Sequence, residues 1–133
     1  MEVAGARFYY SRFSAEEKAV YDGICDTLRQ WGPVYATSQY VNVDATKIMN
    51  GILCDNPEFF YVDRHHMMLK RNPFFLRIEF HYTYDRQETQ NIWQRMTEVL
   101  EDFESAHIKP DMRTLQKQIE IHRFLMANVR YAP

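Results

Sequence analysis

A chain of 133 residues that is 46% hydrophobic, 26% charged and 15% aromatic has the length and make-up of one ordinary globular domain, which argues against disorder. Its formal net charge of -2 supplies no global attraction for phosphate backbones or anionic lipid and so argues against nucleic-acid and membrane-surface partners. No run approaches the ~18 uninterrupted apolar residues of a membrane span, and the opening MEVAGARFYYSRF lacks the basic start and apolar core of a secretory signal. The expectation is a cytoplasmic protein without membrane insertion, or a surface or secreted one if an upstream segment has been removed.

In chain order, Ser14 followed by Glu17 has capping-box spacing and predicts a helix over residues 14–31. Val20, Tyr21, Ile24, Leu28 and Trp31 give it one apolar stripe, and Gly32-Pro33 supplies the stop. Residues 34–43, short of charge and rich in β-formers, read as a strand or extended segment. Asp44 suits the cap of a second helix over 45–54, with Ile48, Ile52 and Leu53 inward and Gly51 placed to let another element come close. Asn56-Pro57 ends it, because a residue before proline is pushed out of the α region.

The aromatic and β-branched run that follows predicts a strand over 59–63, and 67–70 a second. Asn72-Pro73 breaks the chain again. Over 74–84, Phe74, Leu76, Ile78, Phe80 and Tyr82 alternate with Arg77, Glu79, His81 and Thr83, the pattern of an antiparallel strand with one wet face. A third helix is expected over 86–106, striped by Ile92, Met96, Val99, Leu100 and Phe103. A fourth begins near Asp111, striped by Leu115, Ile119, His122, Leu125, Met126 and Val129. Together these predict a single α+β domain over 1–133, about four helices packed on a small antiparallel sheet. Its core would contain Ile24, Leu28, Ile52, Leu53, Phe60, Ile78, Phe80, Leu100, Leu125 and Val129.

Chemistry is sparse in this pattern. His65 and His66 are adjacent, so on a strand they point to opposite faces and cannot easily share an ion with His81. Neither HExxH nor HxxEH occurs, and no glycine-rich phosphate loop does, so no metal and no cofactor is expected. Cys25 and Cys54 lie outside CxxC spacing in apolar helical surroundings, which favours buried, reduced, inert thiols. His122 on an apolar stripe reads as a core or boundary histidine. No catalytic residue is assigned.

Three segments resemble the region ahead of the catalytic core in bacterial transglutaminase-like proteins. They are IMNGILCDNPEFFYVD at 48–63, the strand end FHYTYD at 80–85 with the long helix after it, and LQKQIEIHRFLMANVRYAP at 115–133. The family's nucleophilic Cys, His and Asp would follow the Asn-Val-x-Tyr exit. Cys25 and Cys54 match none of these positions, and Arg123 stands where the family has an aspartate. The resemblance therefore implies a non-catalytic accessory domain of a transglutaminase-like protein, whose parent could be a transglutaminase-like or cysteine-protease-like enzyme. The alternative is an independent small-ligand or peptide-binding protein. The stripe of the last helix leads to Val129 and Tyr131 with nothing to cover it, as if the chain were cut there. An interaction surface is expected at His65, His66, His81, Val129 and Tyr131, with either a C-terminal catalytic domain or a second copy as partner.

Overall fold

The computed structural model describes residues 7–128, with four α-helices and a three-stranded antiparallel sheet, an α+β fold. Val129 and Tyr131, expected at the interaction surface and the core, lie outside the described residues. Contacts divide the chain into two compact units, Met1–Thr89 and Gln90–Pro133.

In the first unit, α1 (Ala15–Arg29) opens on the expected capping box. Ser14 Oγ accepts from Glu17 N at 3.2 Å, and the Glu17 carboxylate accepts from Ser14 N at 3.0 Å. The Ser14 contacts hold the Glu17 carboxyl below its ordinary value. β1 (Val34–Ala36) is shorter than the extended segment expected. α2 (Ala45–Asp55) starts on Asp44, whose side chain accepts from Lys47 N at 3.2 Å. Gly51 permits the close approach anticipated: a Cβ there would sit 3.0 Å from both Phe13 Cζ and Tyr9 Cβ.

β2 (Met68–Arg71) and β3 (Leu76–Glu79) form a hairpin, and β3 is the central strand, flanked by β1 and β2. The strand expected over 74–84 is thus cut at both ends. Phe74, 77% exposed, belongs to the turn, where Asn72 Oδ1 accepts from Phe74 N and Phe75 N. Leu76, Ile78 and Phe80 are buried on one face, as their alternation requires.

Residues 59–63 are not a regular strand. Proline suits the first position of a helical turn, and Pro57–Phe59 forms a short 3-10 turn directly after α2. Only a fragment of pairing survives: Asp63 N donates to His81 O, Thr83 N donates to Tyr61 O, and Val62 bridges Tyr82. Phe59, Tyr61 and Val62 are still buried, delivered by the turn in place of a pleat. They join Tyr21, Ile24, Leu28, Ile48, Ile52, Leu76 and Ile78 in one core, on which Leu53 and Phe60 pack half-buried.

α3 (Arg86–His107) begins on a second reciprocal cap, in which Glu88 N donates to Asp85 Oδ1 at 2.8 Å and Asp85 N to Glu88 Oε1 at 3.4 Å. In the second unit, α4 (Thr114–Asn128) starts three residues later than expected, after a turn in which Met112 N donates to Lys109 O. Its placement corrects the predicted core. Leu100 is 57% and Leu125 47% exposed, and His122 is exposed as well. A helical pair can bury only the narrow strip where its members meet, so the rest of each apolar stripe stays uncovered. Among the described residues of this unit Phe103 alone is buried.

Candidate functional site

The turn between residues 63 and 67 gathers most of the singled-out histidines. Asp63 is its hub: Oδ1 accepts from His65 N at 3.0 Å, and Oδ2 lies 2.6 Å from His66 Nδ1. These contacts, that to His66 first, hold the Asp63 carboxyl below its ordinary value. His81 enters through its backbone carbonyl, which accepts from Asp63 N at 2.8 Å. Thus the three histidines are brought together around one carboxylate, but only His66 by its ring. Among the described residues, no three His, Cys, Asp or Glu side chains are grouped as metal ligands.

The same turn carries Arg64 to the rim of a groove of about 240 Å³ between α2, β2 and β3. Its floor is buried Ala45, Met49 and Ile78, and its wall is Met67 and Leu69. The groove exists because of strand parity. Leu69 lies opposite Ile78, on the buried face of the sheet, yet β2 is an edge strand that overhangs α2, and Leu69 remains 47% exposed. No described residue pairs with the Arg64 guanidinium.

A second feature is an aromatic stack. Trp31 and Tyr61 are parallel within 13° at 4.0 Å between centroids, and Tyr82 sits beside both, 6.0 Å from Tyr61 and 6.3 Å from Trp31. Their polar atoms serve the backbone: Tyr61 Oη donates to Leu28 O, Tyr82 Oη to Gly32 O, and Trp31 Nε1 to Tyr84 O. These rings close the end of α1, and their donor groups are used within the fold.

The cysteines divide. Cys25 is buried and burial pushes its thiol up to about 12, so it is a poor nucleophile. Cys54, expected to be buried, is exposed, because in the last turn of α2 it points away from the face made by Ile48 and Ile52.

Within the second unit, Phe103 and Phe124 pack at 4.5 Å, and Glu120 lies 3.5 Å from His107 Nδ1 and 3.2 Å from Arg123 Nη1. Outside that seam, Met96, Val99 and Leu100 on α3 and Leu115, Ile119, Ile121, Leu125 and Met126 on α4 are all more than two-fifths exposed. No described helix is long and apolar enough to cross a membrane. The stripes were legible in the sequence as apolar; that they would be uncovered was not, since periodicity says which residues share a face and not what covers it. No protein-family model matches the chain, and no curated protein matches it.

Proposed function

We propose that this chain is a non-catalytic accessory domain of a transglutaminase-like protein, working by protein–protein contact through the apolar faces of α3 and α4. The supporting observation is the uncovered stripe on each helix, since contiguous exposed apolar surface is characteristic of contact surfaces. The family part of the reading rests on the three resembling segments, and it places the partner either in a catalytic domain following this one or in a second copy.

Sedimentation velocity over a wide concentration range tests the surface. The wild type should self-associate, and Val99→Glu with Leu100→Glu should be monomeric with unchanged far-ultraviolet circular dichroism. A wild type that stays monomeric, and does not bind the domain encoded after it when that is supplied, overturns the reading. The reading frame tests the family part separately: a Cys/His/Asp core beyond Pro133 carries it, and a stop codon there overturns it in favour of an independent binding protein.

A further inference from the structure

The groove beside β2 combines three properties that the helical faces lack. It is concave, its floor is buried and wholly apolar, and its single charged lining group is Arg64, a cation that no described residue neutralises. The backbone that carries this exposed side chain is ordered: Asp63 is held by contacts to His65, His66 and the His81 carbonyl, which close the turn around Arg64. Asp63, the nearest carboxylate in sequence, bonds His65 N and His66 Nδ1 and makes no ion pair with Arg64, whose guanidinium is open to an external anion. Arg71, on the same face of β2 as Leu69, is occupied, since it donates to Val43 O and Val41 O, and Lys70 lies on the opposite face, paired with Glu79.

We infer that the groove binds a small free carboxylate with a short aliphatic or aromatic body. The body lies on Ala45, Met49 and Ile78, displacing water from apolar surface, and the carboxylate pairs with the Arg64 guanidinium, whose fork of donors suits two carboxylate oxygens. Volume limits the class. At the ~30 Å³ that one water takes up in the liquid, 240 Å³ has room for about eight non-hydrogen atoms, enough for the carbons of a short acid whose two oxygens sit on Arg64 at the rim and too few for a long-chain lipid. The two methionines at the groove adapt to bodies of differing shape, so selectivity falls on the charged end more than on the apolar one. This site is on the first unit and stands whether or not the helical faces dock a partner.

The test uses octanoate as the probe, titrated into the whole chain labelled at its methionine and isoleucine methyls and followed by NMR. Saturable shifts at Met49, Met67 and Ile78 are expected in the low-millimolar range or tighter. Arg64→Gln should weaken octanoate about tenfold and leave the affinity for octan-1-ol unchanged, whereas Leu69→Asp, an exposed edge substitution, should weaken both. Three results overturn the inference: no saturable shift at those methyls, equal octanoate affinity in the wild type and Arg64→Gln, or binding to phosphatidylglycerol vesicles with none to free octanoate. Unchanged amide spectra of both variants show that the fold is intact.

Discussion

Tyr61 lies flat on Trp31, 4.0 Å away and 13° from parallel, and Trp31 is the one described non-glycine residue with a positive φ, 52°. It ends α1 in the position that glycine usually takes. Gly32 N donates to Thr27 O and Trp31 N to Leu28 O, the paired bonds that close a helix through a left-handed residue. Glycine is next in sequence and is not used. The stack and the Trp31 Nε1 bond to Tyr84 O hold a bulky side chain in a backbone conformation that costs on the order of 1 kcal/mol.

Two substitutions separate the ring from the backbone. Trp31→Gly should lose about 3 kcal/mol of stability through the stack while relieving the backbone. Trp31→Ala should lose about 1 kcal/mol more, since it gives up the ring and keeps the strain. Urea unfolding measures both, and an alanine variant as stable as the glycine one would contradict the strain.

Glu58 in the 3-10 turn is only 6% exposed, and its Oε2 has no hydrogen-bond partner among the described residues. A buried acceptor left unmade costs about 1–3 kcal/mol. Glu58→Met, similar in length and apolar, should therefore raise stability by about 1 kcal/mol, read from the unfolding midpoint. A clear loss would mean that this carboxyl supports the fold.

The two thiols should differ in rate. Cys54 should label promptly with a thiol reagent at neutral pH, and Cys25 only as fast as the domain opens. Mass spectrometry of partly labelled protein resolves the sites. Labelling of Cys25 in step with Cys54 would place α1 closer to solvent than it is here.

Stability should fall on the alkaline side. Burial raises Cys25 from an ordinary 9.0 and Tyr82 from 10.0, each to about 12, and raises Tyr21 and Tyr61 further. The unfolded chain therefore releases these protons first. Their contribution is complete below about pH 9 and is lost as the pH climbs from there towards 12 and beyond. Thermal melts from pH 7 to 11 should show a flat region followed by a steep decline. A midpoint that stays level through pH 11 would be incompatible with buried phenols and thiol.

Local rules carried far in this chain. Ser14 with Glu17, Asp44, and the 2-residue alternation of Leu76, Ile78 and Phe80 each made the structure that their chemistry requires. Pro57 was legible as a stop for α2, but proline both ends one helix and favours the first position of another turn, and the second tendency decided residues 57–59. The groove had no local signal at all. Met49, Arg64 and Leu69 meet only because β2 sits at the sheet edge, a fact of strand order that no stretch of the sequence contains.

That Phe103 alone is buried among the described residues of the second unit has a thermodynamic consequence. Phe103 supplies too little burial to offset the entropy of ordering two helices, and an isolated helix of 15 residues is marginal in water. Whatever covers the stripes of α3 and α4 must then also supply helicity. Association would show a heat-capacity change larger than its contact area accounts for, and helix-favouring substitutions far from the contact would tighten it.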